Sequence, residues 1–415
     1  MRSRVAAPPP ADMNAPVGQD EVRRNNLARV LRRLHLGGSA SRSDLVAITG
    51  LNRSTVGALV TELTDAGLVS EQSGATGTVG RPSLVVIPEP ESAFVIALDF
   101  RVDRVVAAAI GLGGTTLARR EHRHGRSGYG PDAAVPQMSA IASDLLEAVP
   151  EGATWVGVGV GVPGIVDGST GVVKLAPNLE WVDVPLGELM RASLAELLGD
   201  VPPVVIGNDA DLGALAEHTR GAAVGCENVI YLSGEVGIGG GIVLDGHVLT
   251  GAGGFGGEVG HMIVNPSGAL CHCGSSGCWE TVIGRDAVLV SAGRPSENDD
   301  ISHLLQAADA GDREARAALD DFGAWLGIGL RNLVNIFNPE VIVLGGHLGV
   351  LLPSVVDAMD ARLRQSIAAS LEQVHVVPAA LGSDSTLTGA TEAAFAALLA
   401  NPLGTLEQSS TLVAS

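Results

Sequence analysis

The sequence predicts a two-part chain: a short helical module closed by a β-hairpin, followed by a large α/β body. Three observations lead to that reading. Over residues 20–67 apolar side chains recur at helical spacing between glycine breaks. From Ala93 onward, β-rich runs alternate with helical segments. The charge also changes sign along the chain: residues 1–88 hold ten Arg and seven Asp or Glu, so a formal net charge of −20 leaves −23 on residues 89–415. A small basic module on an acidic body suits a local phosphate-binding face, while the body discourages non-specific contact.

With 415 residues, 46% hydrophobic and 17% charged, the chain has room for two or three domains and a sizeable core. No run approaches the roughly 18 uninterrupted apolar residues of a membrane span. The opening MRSRVAAPPPADMNAPVGQD lacks the apolar core of a signal peptide and, over residues 1–19, reads as a disordered tail. A cytoplasmic protein without a membrane partner is the expectation.

The N-terminal module spans residues 20–88. Leu27, Val30, Leu31 and Leu34 share one helical face, and Gly37-Gly38 ends it. A second helix opens at Ser41 with Asp44 at capping-box spacing, turns Leu45, Val46 and Ile48 inward, and ends at Gly50. A third takes Asn52 as N-cap, buries Val56, Leu59, Val60 and Leu63, and stops at Gly67. Helix, tight glycine turn, helix is the helix-turn-helix arrangement. Leu68-Val69 and Leu84–Ile87 then read as a hairpin enclosing a loop that ends Gly80-Arg81-Pro82, which makes a wing. Asn52, Arg53, Ser54 and Thr55 at the start of the third helix suit base edges and phosphates, and Arg81 suits a narrow minor groove. The module therefore predicts binding to double-stranded DNA.

In the body, strands are expected at FVIALDF, RVVAAAIGL, Thr115–Arg120, the glycine-rich WVGVGVGVPG, 203–206, 229–233, 238–244 and 340–344. Helices are expected near 132–149, 185–198, 210–221, 313–337 and 350–371. Asn208 and Asp209, at a strand-to-helix junction, suit hydroxyl recognition, although Asn and Asp also cap helices. Gly237, Gly239, Gly240 and Gly241 fit either a phosphate cradle or a tight strand bend.

Residues 251–280 are sharper. His261, Cys271, Cys273 and Cys278 offer one imidazole and three thiolates, the donor set of a closed, structural zinc site, with His272 as a lesser rival. Such a zinc would tie a loop to the segment carrying Glu258.

Gly257-Glu258-Val259-Gly260-His261, followed by Cys271-x-Cys273-Gly274-x-x-Gly277-Cys278-x-Glu280, resembles the signature of ROK proteins (repressors, open reading frames and kinases). Gly80-Arg81-Pro82-Ser83 resembles the repressor branch, and the likeness runs from about residue 20 to 400. It implies an actin/hexokinase-like (ribonuclease H-like) two-lobed domain over 92–400, in a homodimer or homotetramer. The small lobe would be 92–207 plus 385–400, and the large lobe 208–384 with the zinc; 401–415 would be a flexible tail. It also implies sugar contacts from Asn178, Asn208, Asp209, Glu258, His261 and Glu280, with Asp209 at the kinase base position.

The departures from the kinases are equally informative. Their Asp-x-Gly-Gly-Thr phosphate loop reads Asp99-Phe100-Arg101-Val102-Asp103 here, with Asp103 set to repel phosphate, and the second loop has Val236 in place of a threonine. The expectation is therefore a sugar-responsive repressor of operator DNA without enzymatic activity. The alternative is an active ATP-dependent sugar kinase with an appended DNA-binding module.

Overall fold

The computed structural model describes residues 18–73, 84–125, 129–294, 300–365 and 374–413. The chain forms two compact units. The smaller comprises the N-terminal residues up to Glu89 together with Ala397–Gln408; the larger comprises Pro90–Ala396 and the residues from Ser409.

The smaller unit contains α1 (Gln19–Gly37), β1 (Ala40–Ser41), α2 (Arg42–Thr49), α3 (Arg53–Asp65), β2 (Val69–Ser73) and β3 (Leu84–Pro88). Leu27, Val30, Leu31 and Leu34 of α1 are buried, as are Val56, Leu59, Val60 and Leu63 of α3. The caps form as the sequence dictates. Ser41 and Asp44 complete a reciprocal capping box, and Asn52 accepts the Thr55 amide at 2.8 Å. On α2, Leu45 is buried but Ile48 is 51% exposed, contrary to expectation. Thr49, four residues after Leu45, takes the inner face and bonds back to the Leu45 carbonyl. β2 and β3 pair antiparallel from Val69↔Pro88 to Ser73↔Leu84, with β1 on the outer side of β3. The loop tip Gly80-Arg81-Pro82 and residues 1–17 lie outside the described residues.

The larger unit is built on two five-stranded sheets. In chain order its first half contains β4 (Ala93–Phe100), β5 (Arg104–Gly111), β6 (Thr116–Arg123), α4 (Pro131–Leu146), β7 (Thr154–Val162), β8 (Ile165–Asp167), β9 (Val172–Ala176), β10 (Trp181–Val184), α5 (Leu186–Leu198) and β11 (Val204–Asn208). The first sheet runs β11-β7-β4-β5-β6; β8, β9 and β10 form a small antiparallel sheet. The second half begins with α6 (Asp209–Arg220), β12 (Val229–Gly234), β13 (Ile238–Leu244) and β14 (His247–Val248). It continues through α7 (Glu280–Ile283), α8 (Arg285–Ser291), α9 (Ile301–Asp309), α10 (Arg313–Phe337), β15 (Val341–Leu344), α11 (Gly346–Leu363) and β16 (His375–Pro378). The second sheet runs β14-β13-β12-β15-β16.

Glycines set how closely helices approach both sheets. α12 (Ser385–Ala400) lies so near β7 that a Cβ on Gly157 would fall 2.6 Å from the Ala394 carbonyl oxygen, and one on Gly159 2.0 Å from that of Ala390. The alternating valines of β7 face the opposite core. In the second sheet, a Cβ on Gly241 would meet the Ala210 carbonyl of α6 at 2.2 Å, while Gly240 lies under the Gly257 carbonyl on the other face. The Gly239–Gly241 run is thus explained by close packing on both faces of β13.

The C-terminus corrects the sequence reading. Residues 401–415 were expected to be a flexible tail, yet α13 spans Pro402–Val413, and Ala397–Ala400 of α12 fall in the smaller unit together with α13 as far as Gln408. Pro402 opens the helix with a pre-set φ, and Thr405 and Ser409 are buried alongside it. Small polar residues occupy its inner face, so no apolar stripe advertised it.

Gly159→Ala places a side chain against helix backbone and should destabilise the larger unit by about 3 kcal/mol. All four tryptophans, Trp155, Trp181, Trp279 and Trp325, lie in that unit, so urea unfolding followed by tryptophan fluorescence reads it directly. A loss below about 1 kcal/mol would contradict the packing described.

Candidate functional site

The segment after β14 folds around a compact donor set. Val259–His261 form a 3-10 turn, and bridges Ile263↔Cys278 and Leu270↔Ser276 hold the cysteine loop in a narrow hairpin. Gly277, at φ +77°, is required there, because a Cβ would lie 1.6 Å from the Asn265 carbonyl. One donor atom from each of His261, Cys271, Cys273 and Cys278 lies within 4.8 Å of the others. Cys271 Sγ stands 3.7 Å from His261 Nδ1 and Cys273 Sγ 3.5 Å from Cys278 Sγ. Tetrahedral zinc with thiolate bonds of about 2.3 Å gives ligand–ligand edges of about 3.8 Å, so the four groups fit that ion. Burial pushes the Cys278 thiol up to about 12, and a thiolate there calls for a cation beside it. His272 is not part of the set.

The same turn places two candidate ligand-binding groups. His261 directs Nδ1 to Cys271 and Nε2 toward Glu258, 3.8 Å away. One imidazole therefore serves the metal set and the neighbouring carboxylate together. Glu280, opening α7, accepts the Ile238 amide at 2.9 Å, while its other oxygen lies 3.9 Å from Cys271 Sγ.

Asn208 and Asp209 stand where β11 passes into α6. Asn208 Oδ1 accepts the amides of Ala210 and Asp211 at 2.8 and 3.0 Å, and Nδ2 donates to the Gly164 carbonyl at 2.7 Å. Its amide is thus largely occupied in capping and in fixing the turn after β7. Asp209 bonds the Ala210 amide at 2.9 Å, and its carboxyl is raised to about 7 by burial first, then by the charges of Asp99 and Glu235. Asp211 is likewise raised to about 7, by burial, then Asp209 and Glu258, and its Oδ1 is buried without a hydrogen-bond partner. Burial and Glu280 push Glu258 upward against the pull of His261. Asp209, Asp211, Glu258, His261 and Glu280 therefore form one connected polar cluster. Asn178 sits exposed in a 3-10 turn, Pro177–Leu179, and among the described residues no hydrogen bond ties its side chain to that cluster.

The two loops that resemble phosphate loops have been refitted. Arg101 Nε donates to Asp99 Oδ2 at 2.6 Å, and Nη2 reaches the Ser383 carbonyl. Asp103, expected to repel phosphate, is instead paired with Arg104 at 3.2 Å. Asp99 and Glu235 are the carboxylates whose charge reaches Asp209. Sequence reading missed Glu235 and Asp211 as site groups. Their signal lay in the text, as acidic residues next to Val236 and two positions after Asp209.

In the smaller unit, Asn52, Arg53 and Ser54 are exposed at the start of α3, and Thr55 is half-buried. Asn52 Oδ1 accepts from the Thr55 amide and, at 2.7 Å, from the Ser54 hydroxyl, which leaves the Arg53 guanidinium as the outward cation of that turn. Arg81 lies outside the described residues.

The family model described as ROK family matches residues 95–396. The xylose repressor of Bacillus subtilis (strain 168) is 29% identical over 373 residues, covering 89% of this chain and 95% of that protein. A solved ROK family transcriptional regulator, a homologue of the Escherichia coli Mlc protein, aligns with a TM-score of 0.77 at 25% identity, over 95% of this chain and 100% of that one. A ROK hexokinase from Thermus thermophilus aligns with a TM-score of 0.61 at 30% identity, over 74% of this chain and 99% of its own. The regulator's match extends through the N-terminal unit, whereas the hexokinase leaves about a quarter of the chain uncovered. The expected α/β class and actin/hexokinase-like architecture are borne out. On the cysteine-loop signature, the paired sheets and these matches, the chain belongs to the ROK family.

Proposed function

We propose that the protein is a sugar-responsive transcriptional repressor that binds operator DNA through α2, α3 and the wing, and a sugar effector at the Asp209–Glu258–His261–Glu280 cluster. The observation that carries this reading is the near full-length likeness to a ROK transcriptional regulator, winged unit included. The named repressors among the relatives support the same reading. Asn52, Arg53, Ser54, Thr55 and Arg81 are the proposed DNA contacts; Asn178 and Asn208 complete the proposed sugar site, Asn208 chiefly by positioning. Structural zinc on His261, Cys271, Cys273 and Cys278 would fix the turn that presents Glu258 and His261. A homodimer or homotetramer acting in the cytoplasm is part of the proposal.

Binding of the effector favours the DNA-incompetent form and weakens operator affinity, as a ligand must when it prefers one of two states. Kinase activity is not expected. The retained Asp209, raised toward neutrality, favours the alternative of an active kinase, but phosphoryl transfer rests on phosphate positioning and charge neutralisation. Arg101, spent on Asp99 and Ser383, and the acidic Glu235 supply neither.

Fluorescence anisotropy on the chain's own upstream DNA should give salt-dependent binding that one of xylose, glucose or N-acetylglucosamine weakens; binding indifferent to every sugar would sink sugar sensing. Arg53→Ala should weaken specific binding about tenfold or more, at about 1–3 kcal/mol for a base-reading arginine. Unchanged affinity in that variant would remove the start of α3 from the interface. Elemental analysis should find one zinc per chain, lost in Cys278→Ser together with thermal stability; a metal-free protein of equal stability would refute the structural-zinc assignment. Incubation with ATP and those sugars should yield no sugar phosphate, and turnover would restore the kinase reading.

A further inference from the structure

His347, the second residue of α11, is buried, yet both of its ring nitrogens face backbone oxygens. Nδ1 lies 2.7 Å from the carbonyl of Gly234 at the end of β12, and Nε2 lies 2.8 Å from that of Ile283 at the end of α7. The backbone around the ring is shaped for this. A Cβ on Gly234 would stand 2.8 Å from Nδ1, and one on Gly346, at φ +56°, would stand 2.1 Å from the Gly234 carbonyl oxygen. Glycine at both places lets the start of α11 bring an imidazole between β12 and α7.

These two contacts close a circuit. Glu280, the first residue of α7, accepts the Ile238 amide at 2.9 Å, and Ile238 stands opposite Gly234 across the β12–β13 turn. At the other end of α7, Ile283 returns to Gly234 through His347. Within the circuit the Glu280 carboxylate has little room. A Cβ on Gly237 would lie 2.5 Å from its Oε2, and its Oε1 is 3.9 Å from Cys271 Sγ. The start of α7 has its own anchor, since Trp279 Nε1 donates to the Trp325 carbonyl at 2.9 Å. α7 has four residues and is about 6 Å long, so a shift at Ile283 tilts the whole helix, Glu280 included.

The last carbonyls of a helix lack an intrahelical donor, and the imidazole supplies one to Ile283. Donation from both nitrogens requires the imidazolium; burial, the larger effect, lowers the pKa of the ring, while the two carbonyls pull the other way. A neutral ring with its hydrogen on Nε2 keeps the bond to α7.

We infer that His347 is a positioning residue: through the Ile283 carbonyl it fixes α7, and so directs the Glu280 carboxylate that the sugar meets already in place. Holding a ligand group ready before binding spares the cost of ordering it afterwards. The effect on sugar affinity rests on the sugar-binding reading above; the effect on Glu280 does not.

Asparagine and glutamine separate the two bonds, because an Asn amide nitrogen falls near the place of Nδ1 and a Gln amide nitrogen near that of Nε2. The full-length wild type, His347→Asn and His347→Gln are compared by deuterium exchange at the Ile238 amide, whose acceptor is Glu280. The same proteins are titrated calorimetrically with glucose, N-acetylglucosamine and xylose, and operator binding checks that each variant folds. His347→Asn, which loses the bond to α7, should speed Ile238 exchange about tenfold and weaken binding of the sugar that the wild type binds about tenfold. His347→Gln, which keeps that bond, should stay within about threefold of the wild type in both. A role in packing alone moves the two variants alike. Exchange unchanged in His347→Asn, or equally fast in both variants, overturns the inference. Exchange that responds without any change in sugar affinity overturns the link to the ligand site. If exchange responds as expected but the wild type binds none of the three sugars, the sugar reading fails and the positioning of Glu280 stands.

Discussion

The side-chain amide of Asn208 closes the end of β11, the turn after β7 and the first turn of α6 with three hydrogen bonds, at 2.7, 2.8 and 3.0 Å. Without that cap the Asp211 amide would lose its side-chain partner, the Ala210 amide would be left to Asp209, and the turn at Gly164 would lose its tie to the helix. Asp209 and Asp211 are the first and third residues of α6, so their directions follow from where Asn208 starts the helix. The glycines of β13 work to the same end. By admitting Ala210 and Ala214 to direct contact, Gly239 and Gly241 set the depth at which both carboxylates sit. The chemistry of the cluster therefore depends on a residue whose own polar atoms are mostly turned to structure.

A second constraint is electrostatic. Carboxylates gathered in half-buried surroundings must bind protons, find cations or repel one another. Asp99 takes the cation route through Arg101, Asp209 and Asp211 are driven toward neutrality, and Glu258 leans on His261. His261 is turned by the cysteine loop, so the metal-type donor set and the Glu258 carboxylate are coupled through one ring. Any change in that loop moves a side chain of the proposed ligand site, which makes the loop more than a local staple.

Much of this was legible in the sequence, for identifiable reasons. Periodicity and caps gave α1 to α3 because Ser41, Asp44 and Asn52 act within a few residues of themselves. The donor set was readable because three cysteines in eight residues admit few interpretations. What escaped depends on partners distant in sequence. Ile48 is exposed because Thr49 satisfies itself on the Leu45 carbonyl and takes the buried place. α13 buries Thr405 and Ser409, residue types that carry no burial signal. Asp103 was assigned the repulsive role, yet Arg104 beside it forms the pair, and Arg101 turns back to Asp99.

The loop differences carry a wider physical lesson about how a transferase scaffold becomes a sensor. Loss of the glycine-threonine phosphate cradle alone would leave room for an anion, because glycine-rich turns still present amides. Two further features alter the chemistry: Arg101 fills the first loop from within and locks onto Asp99, and the second loop carries the exposed acidic side chain of Glu235. Retaining Asp209 costs a sensor nothing, since a carboxyl that accepts a hydroxyl proton in a kinase accepts a hydroxyl hydrogen bond in a binding site. On the proposed reading the same polar cluster serves recognition without turnover, and the difference would lie in the two refitted loops rather than in the Asp209–Glu258–His261–Glu280 cluster.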